Sequence, residues 1–193
     1  MGDPRQVTLD DVLGGTKALG PRDVLAKIRR RVASRDAEAH GRAGEAVVAQ
    51  YCVAAAEHHI ARLHQIATPT RGQNGRRRFS AKATVDFLGV LLDGSGRHVA
   101  LEVKTTTGGE PLALSRVDDH QRDDLDTVLG AGGLALLAPV FGEACGAVLL
   151  RPRVYVVEWG KVCARTRVSE RQLVDFGCGV DPEHFLERFL ARP

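Results

Sequence analysis

The residues most suited to chemistry lie mid-chain: Asp86, a spacer of 15 residues, then Glu102-Val103-Lys104. Glu45 stands upstream of them and Gln121 downstream. Carboxylates gathered inside a fold are costly unless a cation sits between them, and a divalent metal is the natural candidate. Mg²⁺ prefers hard oxygen ligands in octahedral geometry and usually takes one or two protein carboxylates, leaving the rest to water and substrate phosphate. Asp86 and Glu102 supply the carboxylates, and the Val103 carbonyl could offer a third oxygen. Lys104 could orient an attacking water or stabilise charge on a scissile phosphate. Such a group could hydrolyse a phosphodiester, with Mg²⁺ as cofactor and Mn²⁺ able to replace it. Lys104 is also set apart by rarity, since 22 of the 27 basic residues are Arg and only five are Lys.

Three elements must position these side chains. From Asp23 to about Ile66 the residues favour helix, with Gly41 and Gly44 as weak points that could split it. Val48, Cys52, Ala55, His59 and Leu63 recur at three- and four-residue steps as a buried stripe, and Glu45 lies at its edge. Residues 83–92 and 97–104 are β-rich runs around Asp93-Gly94-Ser95-Gly96, a hairpin signature. A three-residue loop over 94–96 would set Asp86 directly across from Lys104 and diagonal to Glu102, all three on one face. Ser115-Arg116-Val117-Asp118 has the form of a capping box, predicting a helix to about Leu129 in which Gln121, Leu125 and Val128 turn inward.

A local basic site precedes the hairpin. From His58 to Val85 there are Arg62, Arg71, Arg76, Arg77, Arg78 and Lys82 and no acidic residue. Thr68-Pro69-Thr70 and Gly72-Gln73-Asn74-Gly75 break any helix there. A solvated loop is the bland reading; phosphate contact is the one favoured by six cations without an anion. Over the whole chain the net charge is only +3, partly because an acidic helix from Asp118 to Asp126 offsets this segment. A general polyanion trap is therefore excluded.

The rest of the chain reads as one packed α/β domain of 193 residues. Its 44% hydrophobic content rules out a disordered tail. Residues 1–20 read as a mobile arm and 21–193 as a single domain. Residues 134–141 form an apolar strand interrupted by Pro139, 147–150 and 154–159 two more strands, and 169–176 and 182–190 short helices. No membrane-length apolar run or signal-peptide core is present, and the four separated Cys lack a Cys-x-x-Cys pair. A reduced, cytoplasmic protein is expected, with the cysteines as small core or surface residues. His58, His59 and His64 read as structural, since adjacent histidines diverge on a helix and no carboxylate completes a metal set. Arg29-Arg30-Arg31 reads as a solvated helix face.

Asp86…Glu102-Val103-Lys104 resembles the PD-(D/E)XK nuclease motif, whose members also carry an upstream helical Glu and a downstream helical Gln. Taken alone, Glu102 and Lys104 would read as an exposed charge pair on an edge strand. The flanks add specificity: Thr84-Val85-Asp86-Phe87-Leu88-Gly89-Val90, Leu101-Glu102-Val103-Lys104-Thr105-Thr106, Pro111-Leu112 followed by His120-Gln121, and Gly132-Gly133 before an apolar strand. Together these resemble the RecU-type Holliday junction resolvases, from about Gly41 to Val174. The resemblance implies an α/β fold with a central mixed sheet flanked by helices. Asp86, Glu102 and Gln121 would surround the metal, Lys104 would assist catalysis, and Glu45 would support the site. Thr84 would contact metal-bound water or backbone phosphate. Arg71, Arg76, Arg77, Arg78 and Lys82 would lie on a stalk over about 68–83 that enters the junction. It further implies a homodimer acting on branched DNA in the nucleoid, with no membrane partner. Val85 replaces the Pro of the motif name, the stalk is short, and residues up to about His40 have no counterpart. Another PD-(D/E)XK repair or restriction-type nuclease would share the site without the junction preference; a non-catalytic DNA-binding module would share only the basic segment.

Overall fold

The computed structural model describes the backbone of residues 21–66, 70–73, 76–79, 84–176, 178 and 184–190, and the side chains of 32–66, 84–176, 178 and 184–190. The arm expected over 1–20 and Lys82 lie outside the described residues. The chain divides into two compact units, 1–38 and 39–193; the second holds the sheet and every site residue discussed below.

Helix α1, Pro21–Glu57, runs unbroken through Gly41 and Gly44, the two weak points at which the sequence could have split it. Each glycine costs a helix only about 1 kcal/mol, which burial of Val48, Cys52 and Ala55 on one stripe outweighs. The helix stops earlier than expected. Ile60 N–H donates to the Ala55 carbonyl (2.8 Å) and His59 N–H to that of Ala56 (3.2 Å), with His59 at φ 54°. This is a Schellman ending with His in the left-handed position usually held by Gly. His59 is therefore exposed rather than part of the stripe, and Leu63 falls on a strand, β1, Ala61–Gln65.

The basic segment, read from the sequence as non-helical and stalk-like, contains β2, Thr70–Gln73, paired antiparallel with β3, Arg76–Phe79. Next come β4, Phe87–Leu91, and β5, His98–Thr107. A short β6, Leu112–Ala113, and a 3₁₀ turn, Leu114–Arg116, lead to helix α2, Asp119–Gly130. Its N-cap is Asp118, three residues beyond the Ser115 predicted from the sequence, because the 3₁₀ turn takes up the intervening residues. Gly132, at φ 78°, closes α2 as expected. Then follow β7, Leu134–Cys145; β8, Val148–Val154; β9, Val157–Glu158; α3, Trp159–Val162; β10, Arg167–Val168; and α4, Glu170–Asp175, capped by Ser169. In place of the last predicted helix, the described residues hold a 3₁₀ turn, Glu187–Phe189.

The central sheet is mixed, in the order β1-β4-β5-β7-β8 with β9 also on β7. Only β5 and β7 run parallel, joined through α2. Alternation divides the core. Val99, Leu101 and Val103 pack with Val48, Cys52 and Ala55 of α1, whereas Ala100, Ala135 and Leu137 pack with Leu125 of α2 and Trp159 of α3. Helices thus flank both faces of the sheet. Asp126 accepts a 2.6 Å hydrogen bond from the Trp159 indole, fastening α2 to α3.

Pro139 does not interrupt β7. Its carbonyl accepts from Tyr155 N–H at 3.0 Å, and the register on both sides places residue 139 opposite 155. The missing proline N–H instead breaks the partner strand there, separating β8 from β9. Gly89 on β4 is equally position-bound, since a Cβ there would meet the Arg62 carbonyl oxygen at 1.9 Å. The obstacle is backbone of β1 and cannot rotate away. Gly89→Ala is expected to lower Tm by about 6–12 °C, read by circular dichroism. An unchanged Tm would show that β1 does not hold this close approach.

Candidate active site

The turn of the β4–β5 hairpin determines which side chains meet. Leu91 N–H donates to the Arg97 carbonyl (3.0 Å), so the loop spans residues 92–96. Asp93 accepts from Ser95 N–H (2.9 Å), while Gly94 and Gly96 take φ of 82° and 63°. This turn is longer than the three-residue loop predicted and moves the register by two. Phe87 pairs with Leu101 and Gly89 with Val99, so Asp86 comes opposite Glu102 and diagonal to Lys104. A shift of two preserves the face, and the three residues still converge.

At Asp86 the two strands part. The Asp86 carbonyl is held by Ile66 N–H at 2.8 Å, and its carboxylate accepts from Val103 N–H at 2.8 Å, taking the bond the next ladder carbonyl would have received. Glu102 is fully buried, with one oxygen on the Lys104 ammonium and the other, Oε2, unpartnered. Lys104 also donates to Gln121 Oε1 at 3.1 Å. Gln121 is the third residue of α2, and the same oxygen accepts from Asp118 N–H (3.0 Å), half of a capping box. The cap thereby fixes the amide that faces Lys104. Glu45, half-buried on α1, accepts from Gln65 Nε2 at 3.4 Å.

Electrostatics follow from this burial. Desolvation pushes the Glu102 carboxyl up to about 8; Lys104 opposes the shift and Asp86 adds to it. Asp86 is raised by burial against the pull of Val103 N–H, Lys104 and Glu102. Glu45 is raised by burial and then by Asp86, with Lys104, Arg42 and Gln65 acting the other way. Glu45 therefore shares the field of the Asp86–Lys104 group. Three carboxyls raised together, each chiefly by burial, mark a desolvated place.

Among the described residues, no group of three or more His, Cys, Asp or Glu side chains is arranged to hold a metal ion. A Mg²⁺ site needs only one or two carboxylates beside water and phosphate, and Asp86 and Glu102 meet that requirement. The unpartnered Glu102 Oε2 is a donor atom in need of a cation. The residues present thus fit a divalent ion.

Of the expected DNA-contacting residues, Arg71 and Arg76–Arg78 lie on β2 and β3, where the register sets Arg71 opposite Arg78. Thr84 is exposed just before Asp86. Two residues bearing on the site escaped sequence reasoning. Gln65 was hidden because β1 reads as the end of the helix. Arg116, which donates to the Thr105 carbonyl at 2.8 Å, carries no motif. The cysteines are free, with Cys52 and Cys178 buried. Among the described residues no helix is long and apolar enough to cross a membrane. In comparisons with known proteins, no protein-family model matches this chain and no curated protein does.

Proposed function

We propose that this chain is a divalent-metal-dependent DNA endonuclease with a PD-(D/E)XK core, of the RecU type, which resolves four-way junctions by symmetric phosphodiester hydrolysis. The carrying observation is the unpartnered oxygen of buried Glu102, beside Asp86, Lys104 and Gln121, where β4 and β5 separate. Asp86 and Glu102 would hold Mg²⁺ or Mn²⁺, with Gln121 as a neutral third oxygen. The ion supplies Lewis-acid polarisation of the scissile phosphate. Lys104 orients the attacking water and stabilises the charge that develops on the phosphate oxygens. Asp86 is kept aimed by Val103 N–H, and Glu45 adds its charge to the field of Asp86 and Lys104. In-line attack on phosphorus would leave 5′-phosphate and 3′-hydroxyl ends. A homodimer provides one site for each of two equivalent strands.

The hairpin of β2 and β3 supports a DNA substrate. Arg71 and Arg78 occupy opposed register positions with no acidic residue between His58 and Val85. Like charges directly opposite disfavour a hairpin, and a phosphate backbone relieves them. Recognition should then follow junction shape rather than base identity. Replacing Arg76, Arg77 and Arg78 with Gln is expected to reduce the slope of log K against log salt by about 2–3. A slope equal to that of wild type would remove the hairpin from the interface.

One gel tests the function: mobile four-way junction, linear duplex and flap, each with Mg²⁺ or chelator. Symmetric, Mg²⁺-dependent nicking of the junction is expected. Equal cutting of linear duplex would favour a repair or restriction-type nuclease, and binding without cutting would favour a non-catalytic module.

A further inference from the structure

Gly44 precedes Glu45 on α1, and Thr105 follows Lys104 on β5. A Cβ built on Gly44 would lie 1.9 Å from Thr105 Oγ1, 3.2 Å from its Cβ and 3.5 Å from its Cγ2. The helix therefore rests on this threonine, and only a residue without a side chain fits between them. Thr105 cannot readily give way. It is 6% exposed, its Cα partner is Val140 on the parallel strand, and Arg116 Nη1 holds its carbonyl at 2.8 Å. A β-branched side chain has little χ1 freedom in such a setting. Its hydroxyl oxygen is buried without a hydrogen-bond partner, a cost that a purely apolar contact would avoid.

We propose that the Gly44–Thr105 contact is the positioning device of the site: it sets how deeply α1 seats on β5, and so where the Glu45 carboxylate stands relative to Asp86 and Lys104. Gly44 and Thr105 are positioning residues and touch no substrate. Glu45 is carried by α1, which packs on one face of β5, and Lys104 by β5 itself, so their separation depends on helix depth. Both neighbours of the contact are site residues, which makes this the shortest covalent route by which helix depth reaches the chemistry. Gln65 serves as the reporter, since its amide meets Glu45 Oε2 at 3.4 Å in the present arrangement.

The kinetic half of this inference rests on the nuclease reading; the spectroscopic half does not. The Gln65 side-chain amide, assigned by its loss in Gln65→Leu, is followed by ¹⁵N correlation spectroscopy, with Glu45→Ala marking its position once the carboxylate is gone. Gly44→Ala is expected to move this resonance most of the way to the Glu45→Ala position, and adding Thr105→Ala to bring it back. On four-way junctions, Gly44→Ala should lose about 100-fold in kcat, the cost of about 1 Å of misplacement, with KM for DNA unchanged. The loss should not add to that of Glu45→Gln, and Thr105→Ala should restore most of it. Should Gly44→Ala yield no folded protein, recovery of folding in the Gly44→Ala/Thr105→Ala pair supports the contact and its failure overturns it. An unmoved Gln65 resonance in folded Gly44→Ala overturns the inference whatever the catalytic result. A wild-type chain that cleaves nothing overturns the nuclease reading alone.

Discussion

Asp86→Ala is expected to lower Mg²⁺-dependent cleavage of a four-way junction by about a thousandfold, while junction binding in chelator stays near that of wild type. The substitution removes a carboxylate aimed at the gap beside Glu102 and also deprives Val103 N–H of its 2.8 Å acceptor. A buried donor left unsatisfied costs about 1–3 kcal/mol, so alanine alone mixes a catalytic with a structural effect. Asp86→Asn separates them. The amide oxygen can still accept from Val103 N–H, but the charge is gone, so cleavage should fall as far as in Asp86→Ala with a Tm closer to wild type. Cleavage rates and melting temperatures of the two variants, measured together, decide the matter. Wild-type rates in either would place the chemistry elsewhere.

In the absence of divalent ion, stability should fall as pH rises from about 5 to above 8, by an amount on the order of 2–4 kcal/mol. Burial raises the Glu102 carboxyl from 4.5 to about 8 in the folded chain. Between those values the folded state carries a proton that the unfolded state lacks. The stabilisation is complete below the unfolded value and is lost as pH climbs through the folded one. Asp86 and Glu45 are also raised and act with the same sign. A cation at Glu102 replaces the proton, so Mg²⁺ or Mn²⁺ should restore stability at pH 8 and do little at pH 5. At a concentration about 100 times Kd the gain is about 2.7 kcal/mol. Urea unfolding at several pH values, with and without ion, provides the measurement. Glu102→Gln should flatten both the pH slope and the response to ion. A pH-independent midpoint would mean that Glu102 is not held protonated.

The convergence of Asp86, Glu102 and Lys104 was legible in the sequence because strand alternation has a period of two. The turn proved longer than read, and a shift of two residues exchanged which residue Asp86 opposes without moving any side chain to the other face. A shift of one would have scattered the group. Gln121 was legible through the inward stripe it shares with Leu125, although its cap to Asp118 was assigned to Ser115. The end of α1 was not legible, because His59 does there what Gly ordinarily does and nothing in a histidine's type announces it. That miss concealed β1 and with it Gln65, the neighbour of Glu45. Pro139 misled in the opposite direction. Its lost donor weakens the neighbouring strand rather than its own, a distinction that depends on the side of β7 its N–H would have faced.

The parallel pairing of β5 with β7 also governs when the site can exist. Glu45, Asp86, Glu102, Lys104 and Gln121 all precede Leu134, whereas β7, which braces β5 along its length, is made afterwards. A chain growing from its N-terminus thus carries all five of these side chains before it owns the strand that braces β5. At about 5–20 residues per second, the interval from Gln121 to the end of β7 lasts roughly 1–5 s. During that time β5 is the open edge of a β1-β4-β5 sheet, without the parallel strand that braces its other side. A site built this way is complete only once translation has passed Cys145.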